Sequence, residues 1–325
     1  MIRALVCPAL ADDLSTLRIE TRELAPPGRG EVRVKMRAAS LNFPDYLMTQ
    51  GKYQFKPELP FTPGMEGAGE VRALGEGVAG VKVGDAVVVA SRFGMFAEEV
   101  NVPAVALRPK AQAMSWAEAA SYPAAWLTAY VALARRGALQ KGETLLVHGA
   151  AGGVGMAAVE LGLLFGATVI ATAGSAEKLA VLKARGAHHV IDYTQGFRDE
   201  VKRLTDGRGA DVIYDPVGGD VFDESVRCIA FDGRLLVIGF TSGRIPSISV
   251  NMPLIKGFSV VGVRAGEYGR QFPERGRENI TAVERLAHDG KIKPHIGLSL
   301  PLDRAVEAFR ALGERRVIGK AVLTF

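Results

Sequence analysis

Three polar side chains that can hold or donate a proton occur within one short stretch of the chain, LNFPDYLMTQGKYQFKPELP. Asn42 offers an amide donor, Asp45 a carboxylate that can organise the loop, and Tyr53 a phenol that can donate a hydrogen bond or a proton. Such groups can stabilise negative charge that develops on an oxygen during a reaction. Two structural interpretations stay open, because Asn42 can be a turn residue and Tyr53 an amphipathic aromatic at a domain edge.

A glycine-rich turn in LVHGAAGGVG precedes the helical apolar spacing of MAAVELGLLFG. A turn of this kind presents N–H groups at the positive end of a helix, where a pyrophosphate can bind. Gly152 fits the position closest to phosphate and Gly155 the position where helix meets sheet, while Ala150 replaces the first, turn-forming glycine. That replacement is tolerable if φ is negative there. The expected binding residues of the turn are Ala151, Gly152, Gly153, Val154 and Gly155.

Apolar strands alternate with helical patterns from about residue 120 onward. The six strand-like runs are TLLVHG, TVIATAG, HHVIDY, ADVIYDPV, GRLLVIGF and FSVVGVR. This alternation predicts a parallel sheet covered by helices on both faces, and six strands match a complete doubly wound dinucleotide-binding (Rossmann) fold. A glycine turn alone can hold no ligand, so the strand order is what favours a nucleotide site. No Lys-Ser or Lys-Thr follows the glycines, which excludes the phosphate loop of nucleotide hydrolases.

The chain before residue 120 has short β-rich runs broken by Gly and Pro, such as EVRVKMRAAS, GAGEVRAL and KVGDAVVVA. These runs predict a β-rich first domain. The tail, LPLDRAVEAFRALGERRVIGKAVLTF, returns to a helix and a strand, and we expect it to pack back on that domain. The predicted fold class is therefore α/β, with a first domain at 1–122, a nucleotide-binding domain at 123–266 and a return segment at 267–325.

The end of the second apolar strand bears on which nicotinamide cofactor binds. An NAD site usually has Asp or Glu there, whereas this chain has Gly174 and Ser175. Ser175 can donate to a phosphate, Lys178 lies one turn into the next helix, and Tyr193 ends the third strand nearby. We therefore expect NADPH, although Glu177 weakens this and Lys178 can be an ordinary solvated helix residue.

Residues that follow the fifth and sixth strands are further candidates for cofactor binding, because ligands bind at the carboxyl edge of such sheets. These are Gly239 and Phe240 after one strand and Val263 and Arg264 after the next. Arg264 could instead meet an anionic substrate tail or form a surface salt bridge. His148, directly before the glycine turn, is expected to be buried.

Composition sets limits on location and partners. The 325 residues are 48% hydrophobic and 23% charged, and no apolar run resembles a signal peptide or a membrane span. We therefore expect a cytoplasmic protein that does not enter the membrane. Its two cysteines are too few for a disulfide framework or a thiolate metal cluster. The net charge of +5 is spread along the chain, which gives little support for a nucleic-acid partner.

The motifs taken together resemble those of the medium-chain dehydrogenase/reductase superfamily over nearly the whole chain. They are PGMEGAG at 63–69, the glycines at 152, 153 and 155, and YDPVGG at 214–219. Within it the chain is most similar to the zinc-free quinone oxidoreductases, including the zeta-crystallin type, through Asn42-x-x-Asp45 and Gly51-x-Tyr53. The resemblance implies a GroES-like catalytic domain, an active site in the cleft against the nucleotide domain, and a homodimer. It also places Thr128 beside the nicotinamide, with ordinary helix packing as the alternative.

Zinc-dependent relatives hold a catalytic metal with thiolate and imidazole ligands. The resemblance puts Asn42 at the first cysteine, Met65 at the histidine and Ala124 near the remaining cysteine. Side chains of these types cannot replace that ligand set, so we expect a site without metal. Alcohol oxidation, which uses zinc to form an alkoxide, becomes a poor candidate.

The leading interpretation is a zinc-independent reductase that uses NADPH to transfer hydride to a small-molecule acceptor, either a quinone or another α,β-unsaturated carbonyl compound. The stretch from Gln50 to Pro60 is also similar to 2-enoyl thioester reductases, in which the tyrosine at the place of Tyr53 is the proposed proton donor. Enoyl-thioester reduction is therefore the alternative. A more remote alternative is a binding role without turnover, since some relatives are lens proteins or bind RNA; the lack of basic clusters argues against RNA.

Overall fold

A computed structural model describes all 325 residues and divides them into two compact units. The first unit is discontinuous in sequence and contains Met1–Ala124 and Ala287–Phe325, while the second contains Ala125–Leu286. No helix is both long enough and apolar enough to cross a membrane.

The segment that precedes the second unit is mostly β-structure, with two short helices and the start of a third. Its elements are β1 (Ile2–Val6), β2 (Arg18–Arg22), β3 (Glu31–Leu41), α1 (Phe43–Thr49), β4 (Glu66–Leu74), β5 (Ala86–Ala90), β6 (Glu99–Pro103), β7 (Leu107–Pro109), α2 (Trp116–Ser121) and α3 (Pro123–Tyr130). Helix α3 continues into a π-helical turn at Val131–Arg136.

The second unit alternates strands with helices, and the chain then returns to the first unit. The alternating elements are β8 (Thr144–Val147), α4 (Gly153–Leu164), β9 (Thr168–Ala173), α5 (Ala176–Ala184), β10 (His189–Asp192), α6 (Arg198–Leu204), β11 (Ala210–Asp215), α7 (Gly219–Ser225), β12 (Ile229–Val237), α8 (Asn251–Lys256), β13 (Ser259–Gly262), α9 (Ala265–Gln271) and α10 (Pro273–His288). The returning elements are β14 (Ile296–Pro301), α11 (Ala305–Gly313) and β15 (Lys320–Thr324).

The sheet of the second unit has six parallel strands in the order β10-β9-β8-β11-β12-β13. The predicted doubly wound sheet is thus confirmed. All four residues of β8 are buried, as expected for a central strand with helices on both faces. The core of this unit includes Leu146, Ile170, Ile213 and Leu235, one from each of the four central strands.

The main sheet of the first unit has seven strands, in the order β14-β15-β3-β4-β5-β7 with β6 paired to β3. Strand β15 runs antiparallel to β3, with Ala321 opposite Leu41. The tail therefore packs on the first unit, as the sequence predicts. The rings of Phe96 and Phe309 meet edge to face at 5.8 Å in the core of this unit. This contact joins the first segment of the unit to the returning tail.

Helices α9 and α10 lie within the second unit as far as Leu286, whereas the sequence-based boundary placed residues 267–286 with the return segment. The reason is a set of side-chain contacts with the π-helical turn. Arg135 donates through Nε to Asn279 Oδ1 at 2.7 Å and through Nη2 to Glu278 Oε2 at 2.7 Å. These bonds fix the start of the long helix α10 to the second unit.

Candidate functional site

Asn42 ends strand β3 and caps helix α1. Its backbone is extended (φ −123°, ψ 154°), and Pro44 occupies the first helical turn, where its missing N–H costs nothing. The buried carboxylate of Asp45 closes this turn, because Oδ2 accepts the Asn42 N–H at 2.9 Å. Asp45 Oδ1 accepts the Gly64 N–H at 3.1 Å, so one carboxylate joins the helix start to the loop before β4.

Burial raises the pKa of Asp45 to about 7, although the two backbone N–H donors oppose the change by stabilising its charged form. This carboxyl therefore titrates near neutral pH. Its two oxygens are occupied by backbone donors, which assigns it the task of holding the Asn42 turn in shape.

The Asn42 amide lies in a buried polar network with two residues that the sequence did not bring forward, Glu66 and Lys320. Asn42 Nδ2 donates to Glu66 Oε1 at 2.9 Å, and Lys320 Nζ donates to Asn42 Oδ1 at 2.7 Å. Lys320 Nζ also forms an ion pair with Glu66 Oε1 at 3.0 Å. Glu66 Oε2 accepts the Ala124 N–H at 2.7 Å. The network thus connects the end of β3, the start of β4, the start of α3 and the start of β15.

Tyr53 lies in the loop after α1, with its ring half-buried against the core of the first unit. Phe55, two residues later, packs on the same core and stacks on Phe93 at 5.9 Å. Lys52 points outward and pairs with Asp12 at 2.8 Å. Tyr53 and Phe55, which alternate with outward-pointing residues, therefore anchor this loop to the core of the first unit.

The glycine turn of the second unit follows β8. Gly149 takes the left-handed conformation (φ 54°), whereas Ala150 is fully buried and has no positive φ. The left-handed residue of this turn is thus one position earlier than the alanine, which explains why alanine is tolerated. A side chain on Gly155 would collide with the Gly149 carbonyl, while Gly152 caps α4 and has only an ordinary 3.4 Å neighbour.

The first N–H groups of α4 have no intrahelical acceptors, as at every helix start, and no side chain caps them. Ala151, Gly153 and Val154 lie in or beside this first turn, as the sequence predicts. The turn presents backbone donors and a positive helix end without a competing side chain, which is the arrangement that binds a phosphate.

Four predicted cofactor-binding residues lie at the carboxyl edge of the sheet: Gly174, Ser175 and Lys178 follow β9, and Tyr193 follows β10. Ser175 caps α5 by accepting the Lys178 N–H, and Lys178 is half-buried in the first turn of that helix. The Tyr193 hydroxyl lies over Gly174, where an added Cβ would be 2.9 Å from it. Asp192 is opposite Ala173 in register, but its carboxylate Oδ1 is engaged by Thr194, whose N–H and hydroxyl donate at 3.0 and 2.7 Å.

Comparisons with known proteins agree with this architecture. Residues 28–112 match the family model of the alcohol dehydrogenase GroES-like domain, and residues 153–283 match that of the zinc-binding dehydrogenases. The quinone oxidoreductase-like protein 2 homolog of Nematostella vectensis is 40% identical over 99% of this chain and 88% of its own length. The chain belongs to the medium-chain dehydrogenase/reductase superfamily.

Solved structures of this superfamily superpose on the whole chain. Escherichia coli quinone oxidoreductase in complex with NADPH has a TM-score of 0.90 and 29% identity, covering 99% of this chain and 100% of that one. The CurK enoyl reductase has a TM-score of 0.88 and 27% identity over 99% of each chain. Together with the relatives, these structures show that the chain is an oxidoreductase with the expected two-part fold.

One of the two matched family models is that of the zinc-binding dehydrogenases, and a bound zinc ion would need a set of ligand side chains. The chain contains no group of three or more His, Cys, Asp or Glu side chains placed to hold a metal ion. Asn42 and Ala124 both bind the Glu66 carboxylate, and Met65 directly precedes it. Two of the three positions matched to zinc ligands, Asn42 and Ala124, thus contact a carboxylate that is already paired with Lys320.

The remaining residues that the sequence predicts to bind the cofactor lie in the second unit. Thr128 is half-buried on α3. Gly239 and Phe240 follow β12, and the Phe240 ring lies against Gly218 of the YDPVGG turn. Val263 donates to the Val237 carbonyl at 3.0 Å, beside the end of the same strand.

Arg264 is exposed and faces Glu267 at 3.9 Å. Glu267 is held more closely by Arg270, at 2.8 Å, so Arg264 has only a loose partner. The surface salt bridge weighed from the sequence is therefore present, and it leaves the Arg264 guanidinium largely hydrated.

Glu66 and Lys320 are the two residues of the polar network that sequence reasoning missed. Glu66 stands inside PGMEGAG, so a charged residue between glycines and alanine in a strand was a usable signal. No sequence signal points to Lys320, because it lies 278 positions from Asn42 and is the first residue of an otherwise ordinary strand.

Proposed function

We propose that this chain is a zinc-independent, NADPH-dependent reductase of quinones and related α,β-unsaturated carbonyl compounds. The observation that carries the proposal is the replacement of a metal-ligand set by the network of Asn42, Glu66 and Lys320. The similarity to Escherichia coli quinone oxidoreductase in complex with NADPH supports the choice of cofactor.

The second unit offers a site that fits the dinucleotide. The uncapped start of α4 and the small residues of the turn suit the pyrophosphate, since a side chain at Gly152 would occupy the approach of the phosphate. Ser175, Lys178 and Tyr193 would face the 2′-phosphate after β9, where the strand itself ends without a carboxylate and the neighbouring Asp192 is engaged by Thr194. When bound, NADPH supplies the hydride for the acceptor.

On the acceptor, negative charge develops at the carbonyl oxygen and must be stabilised. Asn42 is the donor that we assign to this oxygen, through the Nδ2 hydrogen that does not point to Glu66. Asp45 holds the backbone of that turn, and Tyr53 would donate a proton where the product needs one.

Reduction of 2-enoyl thioesters is the second candidate function. It is supported by the anchored loop that carries Tyr53 and by the similarity to the CurK enoyl reductase. The two functions differ in their need for a proton donor, because a reduced enoyl group must gain a proton on carbon.

The test is a panel of quinones, enals, enones and enoyl-CoA thioesters, each assayed by NADPH oxidation. We expect turnover with at least one quinone or conjugated carbonyl. Turnover with enoyl thioesters alone would establish the second function, and no turnover with any acceptor would reject both.

Cofactor choice can be tested separately at Lys178. Lys178→Ala should weaken NADPH binding more than NADH binding, since only NADPH carries the 2′-phosphate that this ammonium would meet. Lys183→Ala, which removes an exposed lysine from the last turn of the same helix, is the matched control. Fluorescence titrations with both cofactors decide the matter, and equal losses would show that Lys178 does not contact the 2′-phosphate.

We further propose a homodimer in the cytoplasm. Large apolar side chains are exposed along the chain from β12 to β13, the edge strand of the parallel sheet, and such a set is unusual for a monomer surface. They are Phe231, Ile245, Val250, Leu254, Ile255 and Val260. Both cysteines are free thiols, as is usual in a reducing compartment. Light scattering should give twice the chain mass of 34.6 kDa, and Leu254→Asp should reduce it to one chain; a monomeric wild type would reject the dimer.

A further inference from the structure

Lys320 and Glu66 form an ion pair deep inside the first unit. Their side chains are only 4% and 1% exposed, and their charged atoms are 3.0 Å apart. A buried ion pair is a poor source of stability, because removing both charges from water costs about as much as their attraction returns. The ion pair is therefore expected to have a role other than stabilising the fold.

The two partners bind the two polar atoms of the same amide. Lys320 Nζ donates to Asn42 Oδ1 at 2.7 Å, and Asn42 Nδ2 donates to Glu66 Oε1 at 2.9 Å. Rotating the amide by half a turn would set oxygen against the carboxylate and nitrogen against the ammonium. Lys320 and Glu66 together therefore allow only one orientation of the Asn42 amide.

The ammonium protons are all directed inward. Besides Asn42 and Glu66, Lys320 Nζ reaches the Leu41 carbonyl at 3.4 Å. The second oxygen of Glu66 accepts the Ala124 N–H. Neither residue keeps a polar atom for a substrate, whereas Asn42 is partly exposed and its second Nδ2 hydrogen has only a long contact, 3.5 Å, with the Ser40 carbonyl.

We propose that Lys320 and Glu66 are positioning residues that orient the Asn42 amide, so that its second N–H serves as the oxyanion donor. The ammonium on the amide oxygen and the carboxylate on the first N–H offset each other in charge, so their joint effect is the fixed direction of the second N–H. The inference builds on the proposed reductase function and adds the residues that make its oxyanion donor effective.

The variant for the test is Lys320→Met combined with Glu66→Gln. Removing one partner alone would leave a buried charge without its counterion, which can prevent folding. The pair of changes removes both charges, and a glutamine can meet either end of the Asn42 amide, so the orientation is no longer imposed. The control is Arg37→Met with Glu70→Gln, which removes a 2.9 Å ion pair between β3 and β4 of the same sheet.

The first readout needs neither cofactor nor turnover. The chain has four asparagines, so selective ¹⁵N-asparagine labelling gives four pairs of side-chain amide signals, and Asn42→Ala assigns its own by loss. In the wild type and in the control we expect the Asn42 hydrogen bound to Glu66 to exchange slowly with water, and the second hydrogen of the pair to exchange faster. In the Lys320→Met/Glu66→Gln variant this pair should exchange fast. Unchanged slow exchange in that variant would overturn the proposal.

The second readout is a double-mutant cycle on kcat with the best acceptor. Lys320→Met/Glu66→Gln should lower kcat at least about tenfold, with KM for NADPH unchanged, because a donor aimed at an oxyanion is worth about 10²–10³ in kcat. In an Asn42→Ala background the same changes should cost almost nothing further. Equal losses in both backgrounds would overturn the proposal. A wild type that reduces no acceptor would reject the reductase function, while the NMR readout would still decide whether the pair holds Asn42.

Discussion

Asn42 and Tyr53 divide the work of the acceptor site in the proposed mechanism. Asn42 is held rigidly by Glu66 and Lys320 and suits an oxygen whose charge rises and falls. Tyr53 packs its ring against the core of the first unit, and its phenol is the group to which we assign proton transfer. The two residues should therefore respond differently to the choice of acceptor.

Tyr53→Phe should lower kcat on enoyl thioesters by about 10²–10⁴-fold, the usual worth of general acid catalysis. On a quinone it should cost little, because the hydroquinone anion is already stabilised and can take its proton from water. Steady-state rates on both acceptors measure the effect. Tyr268→Phe, which removes a hydroxyl bound to Arg275 at 3.3 Å in the second unit, is the control. Wild-type rates of Tyr53→Phe on every acceptor would remove the tyrosine from the mechanism.

Residue types near the site could be predicted from the sequence only where they are close in the chain. Asn42 and Asp45 were found together because a capped helix start joins them within four residues. Lys320 could not be found, since only the antiparallel pairing of β15 with β3 brings it to Asn42. Whether Asn42 and Tyr53 act in catalysis stays a prediction.

At the scale of elements, the turn between β8 and α4 contains two glycines at which an added side chain would have different effects. Gly155 is needed by the fold, because a side chain there would collide with the Gly149 carbonyl. Gly152 has room for a methyl group and an ordinary φ of −84°. The fold therefore does not require glycine at this position, and in the proposed site its lack of a side chain serves the phosphate.

Gly155→Ala should consequently destabilise the protein by roughly 1–3 kcal/mol, the cost of overpacking. Gly152→Ala should unfold close to the wild-type temperature and still bind NADPH more weakly. Thermal unfolding and a cofactor titration on both variants provide the comparison. If Gly152→Ala bound NADPH as well as the wild type, the phosphate would not approach the turn at this residue.

His148 fixes the end of β8 directly before that turn, and its predicted burial is confirmed. The Ser225 hydroxyl donates to the Val221 carbonyl at 2.7 Å, so it accepts from His148 Nε2 at 2.9 Å. His148 Nδ1 then accepts from the Thr172 hydroxyl at 3.0 Å. The ring is thus neutral, and burial lowers its pKa from 6.5 to about 3.

This histidine should make the protein sensitive to acid. The unfolded chain binds a proton at His148 below pH 6.5 and the folded chain does not until about pH 3, so stability is lost as pH falls through that window. The free energy of unfolding, compared between wild type and His148→Gln, should show a wild-type advantage that shrinks from pH 7 to pH 4.5. Asp45, with its raised pKa, acts in the opposite direction but is present in both proteins and cancels. A difference that stays constant with pH would contradict the assignment.

At the scale of the whole molecule, the six parallel strands were predictable because each is a continuous apolar run separated from the next by a helical pattern. The return of the tail was predictable from its final strand. The end of the second unit could not be predicted, because α10 is amphipathic and could pack on either unit. Hydrogen bonds from Arg135 to Glu278 and Asn279, rather than a local sequence pattern, hold it in the second unit. Fold class thus followed from periodicity, while the boundary depended on long-range side-chain contacts.

At the scale of the whole chain, the proposed activity is NADPH-dependent reduction of a conjugated acceptor by a protein in which Asn42, Met65 and Ala124 stand at the positions matched to zinc ligands. The most direct measurement is NADPH oxidation with a quinone by chelator-treated protein whose metal content is determined on the same sample. We expect no stoichiometric zinc and an undiminished rate. A chain that carries about one zinc, loses turnover when it is removed and regains turnover when it is restored would contradict the account.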